Sequence, residues 1–122
     1  MGTVLLVEDL EDLRDVLHRT LRAHGYQVLS AGDAEEALRL ASQEGVVVDL
    51  LLTDWHLPAM NGHELALVLT QKNPSLQVLL TSGQLDTKTG ILDWLKGRGE
   101  YLAKPYDLDV MLTALQRLSR RS

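Results

Sequence analysis

The residues of this chain best able to do chemistry stand at the ends of short apolar runs. Glu8 and Asp9 follow the run Thr3–Val7, Asp54 follows residues 50–53, Ser82 closes Gln77–Ser82, and Lys104 follows residues 100–103. Each has an ordinary explanation by itself. Asp9 would be the cap of a following helix, Lys104 a solvated side chain, and Ser82 a loop hydroxyl bonded to its own backbone. Their conjunction implies more, because ligands of an open parallel sheet bind beyond the carboxyl ends of its strands, where strand order reverses. Two carboxylates about 5 Å apart repel by roughly 3 kcal/mol at an effective dielectric near 20. A hard divalent cation relieves that repulsion, and Mg2+ characteristically takes one or two carboxylates, keeps waters and reaches a phosphate. With an ammonium and a hydroxyl beside an aspartate, the indicated chemistry is phosphoryl transfer, in which positioning and charge neutralisation do most of the catalysis.

Such a cluster needs strands that end together, and the apolar pattern supplies them. Runs at Thr3–Val7, Gln27–Ala31, 50–53, Gln77–Ser82 and, more weakly, 100–103 are continuous rather than alternating, as in strands covered on both faces. Helical spacing fills the intervals. Leu10, Leu13, Leu17 and Leu21 form one stripe, closed at His24 and Gly25. Asp33 and Glu36 mark the start of a second helix carrying Ala37, Leu38 and Ala41. A third runs from about Gly62 to Lys72, with Leu65, Val68 and Leu69 inward and Asn73-Pro74 as its stop. A fourth, near residues 86–96, is interrupted by Gly90, and a fifth follows Pro105 with Leu108, Met111, Leu112, Leu115 and Leu118. Five strands alternating with five helices predict an α/β fold with a doubly wound parallel sheet.

Composition bounds the function. The 122 residues suit one domain spanning 1–122, and 45% hydrophobic content suits one core, built from Leu, Val and Ala because Phe is absent. No cysteine means no disulfide, thiolate metal site or thiol nucleophile. A formal charge of −5 argues against a whole-domain nucleic-acid footprint and leaves a cation or basic partner. No apolar run is long enough for a membrane span and no cationic leader opens the chain, so a cytoplasmic protein is expected.

These segments together resemble the receiver domains of two-component response regulators and hybrid histidine kinases. The likeness rests on four motifs in order: Val7-Glu8-Asp9; Thr53-Asp54-Trp55-His56-Leu57-Pro58-Ala59-Met60-Asn61-Gly62; Leu80-Thr81-Ser82-Gly83; and Tyr101-Leu102-Ala103-Lys104-Pro105-Tyr106. Asp9 and Asp54 are 45 positions apart, Asp54 and Ser82 28, and Asp54 and Lys104 50. The resemblance implies a flavodoxin-like strand order 2-1-3-4-5 with helices on both faces. It implies that Asp54 accepts a phosphoryl group from the phosphohistidine of a kinase or histidine phosphotransfer domain. Mg2+ would then be held by Asp9, Asp54 and the backbone carbonyl of His56, with Glu8 acting through water. Lys104 would reach the phosphoryl oxygens across a cis bond to Pro105. Pro58 and Gly62 would shape the acceptor loop, and Gly83 would leave room for the incoming group. Ser82 and Tyr101 would be a switch pair reporting to a downstream protein on the α4-β5-α5 face.

Glu8 stands where the family often has Asp, and His56 and Gln84 occupy variable positions flanking the acceptor. His56 either supplies only its carbonyl or also tunes the lifetime of the phosphoaspartate. Trp55 is expected to pack, with a possible second use as an optical reporter of Mg2+. His18, His24 and His63 lack partners at ligand spacing and receive no role, and Ser119, Arg120, Arg121 and Ser122 read as a solvated tail. Two other functions stay open at this point. One is a docking domain that keeps the fold without phosphorylation. The other is an aspartate-nucleophile phosphatase, whose second acid, two residues after the nucleophile, is here His56. The chain would serve as a stand-alone regulator or as the receiver of a hybrid kinase, with the latter preferred and no output domain within it.

Overall fold

Consecutive Leu and Val in the central strands leave neither face polar, so both must be covered. In the computed structural model, which describes residues 2–83 and 90–120, that covering comes from helices on both sides of a five-stranded sheet. The strands are β1 (Thr3–Val7), β2 (Gln27–Ala31), β3 (Leu50–Asp54), β4 (Gln77–Ser82) and β5 (Gly99–Ala103). Between and after them run α1 (Glu11–Ala23), α2 (Ala34–Ala41), α3 (Gly62–Lys72), α4 (Ile91–Leu95) and α5 (Leu108–Ser119). All pairings are parallel in the order β2-β1-β3-β4-β5, as expected. The expected start of the fourth helix at Asp86, together with Gln84, Arg121 and Ser122, lies outside the described residues.

One core layer gathers Leu5, Leu51, Leu65, Leu69 and Leu80 under α2, α3 and α4; the other gathers Leu6, Leu17, Leu21, Leu52, Leu79 and Leu115 under α1 and α5. Successive strand residues point to opposite faces, so odd and even positions of β1 and β3 feed different layers. The edge strands differ from expectation. β2 and β5 are only half-buried, because an edge strand has one neighbour instead of two. Leu10 is also not part of the α1 stripe. It stands ahead of the first turn as the N-cap and is 60% exposed, while Leu17 and Leu21 are buried. Leu108, in the first turn of α5, is exposed for a similar reason, ahead of buried Met111, Leu112, Leu115 and Leu118.

Helix starts follow side-chain chemistry where it is available. Asp33 accepts from the Glu36 N–H, and Asn61 and Glu64 form a reciprocal capping box at α3, with 2.8 Å and 3.1 Å bonds. Two glycines allow close backbone approach. A Cβ at Gly62 would run into the Asp54 carbonyl, and one at Gly99 would meet the Val78 carbonyl group, with Val78 C only 2.8 Å away. Both obstacles are backbone atoms of packed strands and cannot yield. Gly99→Ala is therefore expected to destabilise the domain by about 3 kcal/mol, at the upper end for overpacking, as read from urea unfolding; a loss under about 0.5 kcal/mol would mean that β5 shifts freely.

Candidate functional site

Strand ends bring the five polar residues to one edge of the sheet. Asp54 is the last residue of β3, paired in register with Thr81, and its side chain is nearly buried. Glu8 follows β1, with its N–H bonded to the Ala31 carbonyl at 3.0 Å, and it is only 2% exposed. Lys104 follows β5, its N–H donating to the Ser82 carbonyl at 2.8 Å, and the Lys104–Pro105 peptide is cis as expected. The Lys104 ammonium donates to Glu8 Oε1 at 2.7 Å and to Asp54 Oδ2 at 2.9 Å. It thus ties together the ends of the first, third and fifth strands in chain order.

Backbone groups complete the acids' partners. The His56 N–H donates to Asp54 Oδ1 at 3.2 Å, and the Leu10 N–H to Glu8 Oε2 at 3.3 Å. The His56 side chain is exposed. Asp9, also exposed, makes no cap bond to α1, which excludes the simple helix-cap explanation. Glu8, Asp9 and Asp54 each offer a carboxylate oxygen within 4.8 Å of the others. Three carboxylates and one ammonium leave this edge negative, and an all-oxygen anionic donor set suits a hard divalent cation such as Mg2+.

Burial raises the Glu8 carboxyl above its ordinary range, with the Lys104 and Leu10 hydrogen bonds pulling the other way. For Lys104, burial favours loss of the proton, but the bonds to Glu8 and Asp54 outweigh it and hold the ammonium above its ordinary value. Lys104 is therefore charged throughout the physiological range. Burial also pushes the Tyr106 phenol up to about 12, so this neighbour of Lys104 stays neutral.

The remaining expected residues fall nearby. Ser82 is buried at the end of β4, and the Tyr101 hydroxyl donates to its carbonyl at 3.1 Å. A Cβ at Gly83 would meet nothing within 4 Å, so space is open there, whereas Gly62 abuts the Asp54 backbone and donates its N–H to the Trp55 carbonyl at 2.8 Å. Pro58 is exposed in the loop between β3 and α3, where Ala59 adopts a positive φ of 69°. Sequence reasoning missed a stack beside the site. Trp55 lies over His63 with ring centres 6.1 Å apart, His63 meets Trp94 edge-on at 4.9 Å, and the Arg98 guanidinium sits 5.2 Å from the Trp94 ring. The Nε2 of His63 is buried without a partner, and burial lowers its pKa. Only the helical spacing of His63 and Trp94 was visible beforehand, and spacing does not say that two helices meet.

Comparison with known proteins agrees with this geometry. The family model for the response regulator receiver domain matches residues 4–116. The chain is 35% identical to the DNA-binding transcriptional regulator NtrC of Bradyrhizobium sp. (strain RP501 Parasponia), over 95% of this chain and 24% of that protein. It therefore spans about a quarter of that relative's length. Among solved structures, the receiver domain of the hybrid histidine kinase CckA is 32% identical, with a TM-score of 0.79, 97% of this chain covered and 99% of that one. The response regulator TrrA of Thermotoga maritima, solved with Mg2+ and BeF, is 25% identical, with a TM-score of 0.80 and the same coverage. No helix among the described residues is long and apolar enough to cross a membrane. With its fold, its strand-end acids and lysine and a family match over nearly its whole length, the chain belongs to the response regulator receiver domains of two-component, phosphorylation-based signalling.

Proposed function

We propose that Asp54 is the phosphoacceptor, taking a phosphoryl group from the phosphohistidine of a histidine kinase or histidine phosphotransfer domain. The observation that carries this reading is the position of Asp54: a nearly buried carboxylate in the central strand, paired to Lys104 and flanked by two further acids. A carboxylate oxygen of Asp54 forms the bond to phosphorus as the P–N bond breaks, and the electron pair returns to the imidazole nitrogen. Asp9, Asp54 and the His56 carbonyl would hold Mg2+, with Glu8 outside them through water; the ion supplies charge neutralisation for the transferring oxygens. Lys104 is the protein's own cation for those oxygens and already touches the acceptor. The open space at Gly83 admits the group, while Gly62, Pro58 and Pro105 hold the surrounding loops.

Phosphorylation replaces the single charge of the Asp54 carboxylate with the nearly two of an acyl phosphate beside Lys104, and favours the arrangement in which the Ser82 hydroxyl donates to its oxygens. Tyr101, tethered to the Ser82 backbone, would then turn inward and alter the surface formed by α4, β5 and α5. That surface would meet a downstream protein. The bond between Tyr101 and Ser82 supports the pairing.

The test is incubation of the protein with acetyl phosphate or a phosphorylated histidine kinase, with Mg2+ and with a chelator. One phosphoryl group labile to acid, to base and to hydroxylamine, as an acyl phosphate is, is expected with Mg2+, and none with the chelator. A chain that takes up no phosphoryl group under either condition would be a docking domain that keeps the fold alone.

A further inference from the structure

Of the three acids, two are held directly and one is not. Asp54 is fixed by the His56 N–H and Lys104, and Glu8 by the Leu10 N–H and Lys104. Asp9 has no such partner among the described residues: its exposed carboxylate meets only those of Glu8 and Asp54. Something else must set where it stands, and the backbone before it is the place to look.

The Glu8 carbonyl belongs to the peptide plane that also contains the nitrogen and Cα of Asp9, so fixing that oxygen fixes the direction in which Asp9 leaves the strand. Arg14 does this. From the second turn of α1 its Nη1 donates to the Glu8 carbonyl at 2.8 Å, while the Glu8 N–H is bonded to Ala31 at the other side. The guanidinium reaches back across the turn after β2, where a Cβ on Gly32 would approach Nη1 to 3.0 Å. Its charge is thus spent on a neutral carbonyl and not on any of the three carboxylates within reach of the cation site.

We infer that Arg14 is a positioning residue for Asp9, and through it for Mg2+. The inference rests on the Mg2+ reading above. Its charge alone would act in the opposite sense, because a cation beside three carboxylates competes with a divalent ion. Removing Arg14 therefore separates the two roles by sign: loss of positioning weakens Mg2+ binding, whereas loss of charge alone strengthens it.

The experiment titrates wild type, Arg14→Ala and Arg14→Lys with Mg2+, following backbone amide NMR signals of Asp9, Leu10 and Asp54. Urea unfolding runs alongside to establish that each variant is folded. Arg14→Ala is expected to bind about tenfold more weakly, the lower end of what lost outer partners of metal ligands cost. Its Asp9 amide signal should be displaced before any Mg2+ is added, and Arg14→Lys, which keeps a cationic N–H donor, should recover most of the affinity. Equal or tighter binding by Arg14→Ala, with wild type binding normally, would overturn the positioning role and leave the Mg2+ reading intact. Weaker binding with an undisplaced Asp9 signal would overturn it too. Absence of any Mg2+ response in wild type would remove the Mg2+ reading itself, and this inference with it.

Discussion

Asp54→Asn is expected to take up no phosphoryl group from acetyl phosphate or from a phosphorylated kinase, while staying folded. Asn keeps the shape of the side chain, so it still accepts from the His56 N–H and the strand register is unaffected. What it loses is the anionic oxygen, and a neutral amide is a far poorer nucleophile toward phosphorus. It also removes one of three mutually repelling carboxylates, so stability should hold or rise slightly even though the bond to Lys104 weakens. Intact mass after reaction measures the first effect and urea unfolding the second. Labelling equal to wild type would place the acceptor elsewhere.

Lys104→Met carries the second large effect, this time on stability and its pH dependence. It deletes the single ammonium shared by Glu8 and Asp54, both of which are largely buried. Removing one partner of a buried ion pair costs about 3–5 kcal/mol, and partial exposure of the lysine brings the expected cost just below that range, to about 2–3 kcal/mol at neutral pH. The sign with pH follows from Glu8. Its pKa in the folded chain is already above 4.5, so the folded state binds the proton more tightly than the unfolded state, and the ionised carboxylate is a cost that grows as pH rises above 4.5. Without Lys104 that pKa moves further up, because two of the influences lowering it come from the lysine. The variant's deficit should therefore be greatest near neutrality and shrink as pH falls toward 4.5. In wild type the raised Lys104 pKa works the other way: its contribution is fully present below 10.5 and fades only as pH rises past that value. Urea unfolding of both proteins across this range is the measurement. A deficit that stays constant with pH would mean that Glu8 is not the group left unpaired.

What was legible in the sequence was whatever depends on local pattern. Strand ends follow from where continuous Leu and Val runs stop, and in an open parallel sheet that is enough to gather Glu8, Asp54, Ser82 and Lys104 at one edge. Helix starts written in side chains, as at Asp33 and Glu36, are equally visible; the Asn61 and Glu64 pair carries the same signal, which the expected start near Gly62 leaves unused. Leu10 falls outside the buried stripe because periodicity extends a stripe one step beyond the point where the backbone turns helical. Gly99 could not be assigned at all, since the need for a missing side chain there arises from the carbonyl of Val78, a residue in another strand. The same holds for Arg14 and His63. Each meets its partners only once separate elements pack, and nothing in their immediate neighbours says which surface they will face.

The bond between Lys104 and Glu8 joins residues 96 positions apart, and that between Lys104 and Asp54 spans 50. Contacts so remote in sequence require the first and last strands to be in the sheet together, after most loop-closure entropy has been spent. The site is therefore a property of the completed chain and of no fragment. A ligand that binds there binds the native state alone, so its free energy should appear as cooperative stabilisation of the whole domain, with slower amide exchange even in β2, which contributes no side chain to the cluster.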